Sequence, residues 1–355
     1  MNAGICGLAL LLAVPAHAQG AKIVKTDSHI DALDPGIKLF VREKKVEGAR
    51  ATEENTVLFV HGATFPSTPD FDLQYKDYSW ADRLASRGYV VYMFDKRNYG
   101  FSTREKAMDE PASAHRPLSR SYLVIRDIAA VVDHIRAKNH LAHVTLIGWS
   151  WGAMTAGYYT SLYPEKVHKL VLYAPLYANP LHTNLGAGSG LQDKRHPSDF
   201  NYATFGAYRL GTGDANNKRW DGEIPVSNKE EYREQGVQDA FNQAALATDP
   251  TSNSRNPPAL RAPNGVLEDS FYQATGRRMW NAANISVPTL VIAGEDDTWS
   301  FLSDREGLMR DLTNTPEKKL VLIPHATHFV LFEKQRGKFF EEIESFLKGS
   351  AHAAR

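Results

Sequence analysis

Short runs of apolar residues recur along the chain: Val57-Leu58-Phe59-Val60, Val90-Val91-Tyr92-Met93-Phe94, Val144-Thr145-Leu146-Ile147, Leu170-Val171-Leu172-Tyr173, Thr289-Leu290-Val291-Ile292-Ala293 and Leu320-Val321-Leu322-Ile323. Runs this short that are apolar at both parities predict strands buried on both faces, as in a parallel sheet covered by helices. Between them, the segment 121–138 places Val124, Ile128, Val131, Val132 and Ile135 at helical spacing on one face. Ahead of the first run, Ile37, Leu39 and Val41 alternate with polar residues, so 37–46 reads as an antiparallel strand. The pattern is that of an α/β fold with a mostly parallel central sheet flanked by helices.

The alternation stops after Pro175 and resumes near Val287, a gap of about 110 residues, far longer than an ordinary connection. An inserted, mainly helical domain accounts for it. The expected organisation is therefore a leader at 1–18, a core at 19–178, an insertion at 179–284 and the rest of the core at 285–355. Within the insertion, 179–222 is rich in glycine and asparagine with scattered aromatics, 229–246 and 269–284 read as helices, and 248–265, with four prolines, reads as irregular.

Composition narrows the class of chemistry. Lysine plus arginine and aspartate plus glutamate number 41 each, so no basic excess points to nucleic acid, and small-molecule chemistry fits the balance. The apolar stretch from Leu8 to Val14 followed by Ala16-His17-Ala18 matches a cleaved secretory signal, which predicts a periplasmic or secreted protein. That stretch is too short to span a bilayer, so no stable membrane insertion is expected. Cys6, the single cysteine, lies inside this leader, and the processed chain would hold no thiol for catalysis, disulfides or metal binding.

The candidate chemistry sits at the ends of the predicted strands. Gly148-Trp149-Ser150-Trp151-Gly152 follows one run directly and precedes a helix-compatible segment, so Ser150 occupies a tight strand-to-helix turn that would push its hydroxyl outward. A serine nucleophile needs a base and a carboxylate to orient that base. Gly294-Glu295-Asp296-Asp297 follows the Ala293 run and offers two acids; Pro324-His325-Ala326-Thr327-His328 follows the Ile323 run and offers two imidazoles. A zinc pair of His325 and His328 lacks a third ligand at metal-like spacing, so no metal and no cofactor is expected.

These motifs, in the order serine, acid, histidine, resemble the α/β-hydrolase fold superfamily over nearly the whole chain outside the insertion. The resemblance selects Asp297 through the family's G-x-x-D spacing, with Asp296 as the alternative. It selects His328 through His328-Phe329-Val330-Leu331-Phe332-Glu333, with His325 as the weaker choice. His61-Gly62-Ala63-Thr64 is similar to the family's HG loop, which implies that the backbone N–H groups of Ala63 and Trp151 form an oxyanion hole. Asp95-Lys96-Arg97-Asn98-Tyr99-Gly100-Phe101-Ser102 is similar to the family's D-x-R-G-x-G-x-S segment, with Asn98 in place of a glycine that takes positive φ. His61 and Trp299 are expected to contact substrate. The implied activity is hydrolysis of a small-molecule ester, with the insertion as a lid. A proline iminopeptidase-like aminopeptidase, using lid carboxylates such as Glu230, Glu231, Glu234 and Glu268, is one alternative. A non-catalytic binding protein of the same fold is another.

Overall fold

A computed structural model describes residues 22–177 and 184–349. The proposed leader, with Cys6, lies outside the described residues. Eight strands form the central sheet: β1 (Ile23–Asp31), β2 (Lys38–Val46), β3 (Thr56–Val60), β4 (Val90–Phe94), β5 (Val144–Trp149), β6 (Val167–Tyr173), β9 (Thr289–Gly294) and β10 (Lys318–Ile323). Their spatial order is β1-β2-β4-β3-β5-β6-β9-β10. The β2 strand pairs antiparallel with both β1 and β4, and every later pairing is parallel. The strands β3, β4, β5 and β9 are buried at every residue, as their unbroken apolar runs require. The edge strand β1, which carries no apolar pattern, is mostly exposed and is held by pairing to β2.

Helices cover both faces. On one, α2 (Trp80–Ser86) meets α9 (Arg336–Lys348), where Trp80 packs against Phe339 and Phe340. On the other, α3 (Ser121–Asn139) packs against α4 (Trp151–Leu162). Because β3, β5, β9 and β10 run parallel, their C-terminal ends share one edge of the sheet, the edge at which open α/β sheets bind ligands. The loops after these four strands carry the HG segment, Ser150, the acidic cluster and His328.

Between β6 and β9 the chain builds the insertion from α5 (Gly213–Glu223), α6 (Val237–Leu246), α7 (Gly265–Ala274) and a two-stranded antiparallel sheet of β7 (Tyr208–Thr212) and β8 (Ala259–Pro263). The expected elements need correction: of the helices read over 229–246 and 269–284, the first is α6 only from Val237, and the second is α7, which ends at Ala274. The segment read as irregular contains β8, with Pro263 at its end, where the lost donor is tolerated. The glycine- and asparagine-rich segment contains most of α5, whose start Thr212 caps by accepting from the Ala215 N–H. Among the described residues no helix is long and apolar enough to cross a membrane.

Candidate active site

Ser150 lies between β5 and α4 with φ 58° and ψ −120°, a left-handed conformation costly for any residue with a side chain. Its N–H donates to Tyr173 O (2.8 Å), and its carbonyl accepts from Met154 N (3.1 Å), so strand and helix grip it from both sides. The flanking glycines have a measurable reason. A Cβ on Gly152 would lie 2.0 Å from Val60 O and 2.5 Å from His61 O; one on Gly148 would lie 2.4 Å from Gly152 O. The turn therefore presses directly on the end of β3, and the HG loop begins beside the serine.

Asp297 follows β9 and is buried. Its carboxylate accepts from His328 Nδ1 at 2.9 Å through Oδ2 and 3.1 Å through Oδ1. Oδ1 also accepts the backbone N–H groups of Trp299 (2.8 Å) and Ser300 (2.9 Å). Burial alone would raise its pKa, but the charge of His328 and these hydrogen bonds outweigh burial and hold the carboxyl below its ordinary value. With the Nδ1–H donated to this carboxylate, His328 presents Nε2 as an acceptor. Asp296 faces away and accepts the Tyr232 hydroxyl at 2.6 Å. His325 is exposed in the turn after β10.

The His328 backbone is fixed as firmly as its ring. Its carbonyl accepts from Trp149 Nε1 (3.1 Å) and the Tyr173 hydroxyl (2.5 Å), while its N–H donates to Glu223 of α5 (3.1 Å). The preceding Thr327 donates through N and Oγ1 to Glu333, which also accepts Trp220 Nε1. Burial raises Glu333 to about 7. Trp149 itself stacks on Tyr173, with ring centroids 5.6 Å apart.

His61 does not touch the pocket as expected. It is fully buried, and both ring nitrogens are spent on backbone. Nε2 accepts the Lys96 N–H at 3.1 Å, so Nδ1 carries the proton and donates to Gly62 O at 3.0 Å. That bond fixes the Gly62–Ala63 peptide and thereby the direction of the Ala63 N–H, since the two groups of a trans peptide point oppositely. The Ala63 carbonyl is held in turn by the Tyr99 hydroxyl (2.8 Å) and by Arg209 of β7 (2.9 Å). Trp151 is the first residue of α4, where the N–H has no acceptor within the helix. The two N–H groups implied as an oxyanion hole thus sit on anchored backbone. Asn98 does take positive φ, 68°.

Gly62, Ala63, Asp70, Ser150, Arg219 and His328 line a single cavity of about 20 Å³, room for roughly one water molecule. The insertion contributes Arg219 of α5 to its wall. Trp299 stands one layer out, its ring 4.0 Å from the Arg219 guanidinium carbon. Larger surface grooves exist, one of about 590 Å³ beside Lys76, Arg83 and Arg336, but none of the groups above lines it. Sequence reasoning missed Arg219, Glu223 and Asp70. No local motif marks them, because only the packing of the insertion and of the short helix 67–71 brings Arg219 and Asp70 to the pocket and Glu223 to the His328 N–H.

A family model described as alpha/beta hydrolase fold matches residues 55–335. The chain belongs to that family. Among solved structures it is similar to the enol-lactonase from Burkholderia xenovorans LB400, with 16% identity and a TM-score of 0.58 over 91% of this chain and 100% of that one. It is similar also to a thermophilic esterase from Thermogutta terrifontis, with 18% identity and a TM-score of 0.55 over 91% and 98%. A third is E-2-(acetamidomethylene)succinate hydrolase, with 19% identity and a TM-score of 0.54 over 92% and 100%. At such identities the likeness is one of fold. No curated protein sequence matches the chain.

Proposed function

We propose that the protein is a serine hydrolase that cleaves a carboxylic ester of a small molecule through an acyl-enzyme on Ser150. The observation that carries this reading is the buried Asp297 carboxylate on His328 Nδ1, in a site where His328 and the strained Ser150 line one cavity. In the first half-reaction His328 Nε2 takes the Ser150 proton as Oγ attacks the ester carbon. The N–H groups of Ala63 and Trp151 receive the oxyanion, and the imidazolium, stabilised by Asp297, returns its proton to the departing alcohol. Water then repeats the cycle on the acyl-enzyme and releases the acid. The similar structures named as an esterase and a lactonase support acyl chemistry in this fold.

Of the four lid carboxylates named for an amine-binding aminopeptidase pocket, Glu230 and Glu231 are exposed and the other two are paired elsewhere. Glu234 pairs with Lys76 and Arg336, and Glu268 pairs with Arg120. The leader motif supports export, which N-terminal sequencing of the secreted form tests. The decisive experiment is turnover of p-nitrophenyl esters of graded acyl length, together with fluorophosphonate labelling, for wild type and Ser150→Ala. A fall in kcat of about a millionfold and loss of the label are expected. Retained turnover in the variant refutes the nucleophile.

A further inference from the structure

Arg219 is the cation in the wall of the pocket, and no acceptor among the described residues takes a hydrogen bond from it. It projects from α5 into the cavity that Ser150 and His328 share. Its Nε is buried without an acceptor, and its guanidinium makes no hydrogen bond among the described residues. Two rings hold it: Trp299, with the guanidinium carbon 4.0 Å from the centroid, and Phe329, at 5.5 Å. The nearest carboxyl oxygen, Glu223 Oε1, is 3.9 Å from Nε, too far for a hydrogen bond. Glu223 spends its other oxygen on His328 N, and burial favours its neutral form.

An arginine placed in this way is an incomplete ion pair. Leaving buried donors unfilled is costly, and the planar fork of the guanidinium matches a carboxylate in a two-point contact that a lysine cannot reproduce. Packing between aromatic rings fixes the plane of that fork in advance, so little ordering remains for binding. We infer that Arg219 receives a carboxylate of the substrate, and that the enzyme prefers small esters bearing a free carboxylate a short spacer away from the scissile bond. This inference rests on the ester-hydrolase reading above and supplies its substrate class.

The test compares monomethyl glutarate with dimethyl glutarate, followed by methanol release, in wild type, Arg219→Met and Arg219→Lys, with glutarate binding measured by calorimetry and Ser150 checked by fluorophosphonate labelling. Wild type is expected to favour the monoester by about 10- to 100-fold in kcat/KM, the range of a hydrogen-bonded charge pair. In Arg219→Met that ratio collapses and glutarate binding is lost; Arg219→Lys keeps a part of both. A wild type that labels at Ser150 but favours the diester overturns the carboxylate site and leaves the nucleophile standing. An Arg219→Met variant that loses both substrates equally, with the ratio intact, shows Arg219 to be structural and also overturns it. Absence of labelling together with glutarate binding that depends on Arg219 refutes the hydrolase reading alone.

Discussion

Replacing Asp297 by asparagine tests the orienting carboxylate with almost no change in shape. The outcome can be worked out from the acceptors around it. Oδ1 is held by two backbone N–H groups, from Trp299 and Ser300. In Asp297→Asn the amide oxygen stays on these donors, because the amide nitrogen cannot accept from them. The NH2 group is then turned toward His328 Nδ1. Two donors cannot face each other, so Nδ1 gives up its proton and the imidazole carries it on Nε2, the tautomer that cannot act as a base toward Ser150. A loss of about 10⁴-fold in kcat follows, or ~5.5 kcal/mol of transition-state stabilisation. Asp296→Asn only weakens a bond to Tyr232 and should change kcat by less than about threefold, the scale of a peripheral hydrogen bond. The assay is p-nitrophenyl acetate turnover from pH 6 to 9, with circular dichroism to show that both variants fold. Equal losses in the two variants, or near-normal turnover in Asp297→Asn, would refute the argument.

Two further predictions concern stability. Gly152→Ala drives a Cβ into Val60 O and His61 O, backbone atoms that no rotamer change can clear. It should cost at least about 1–3 kcal/mol and abolish turnover as the loop after β3 shifts; an unchanged melting temperature would contradict this. Burial, then the charge of Asp297, raises Glu223 to about 8 from its ordinary 4.5. Between those values the folded state holds a proton that the unfolded state lacks. Stability from this group is thus complete below pH 4.5 and declines as pH rises toward 8, at up to about 1.4 kcal/mol per pH unit. Urea melts of Glu223→Gln should therefore lose less stability than wild type from pH 5 to 8. Parallel curves would disprove the shift.

The parallel strands, Ser150, Asp297 and His328 were legible because each lies where one local pattern ends and another begins. A buried run sets the strand, and the residues just after it are placed by the sheet. The insertion was read poorly for the opposite reason. Strand β7, Tyr-Arg-Leu-Gly-Thr, has no alternating apolar face and exists because β8 pairs with it. Arg219 sits in a helix with little apolar character, and nothing in its neighbours announces that it turns inward. His61 misled for a related reason: a histidine in a pocket motif suggests contact with ligand, whereas here its two nitrogens hold backbone.

Arg209 joins the insertion to the core at one particular place. From β7 its guanidinium reaches Ala63 O and Thr64 Oγ1, in the loop that would stabilise the oxyanion, while its other nitrogen binds Pro263 O of β8. The lid is therefore not an interchangeable module. A chimera that grafts a different cap onto this core would alter substrate choice and remove a fastening of the catalytic loop in the same cut.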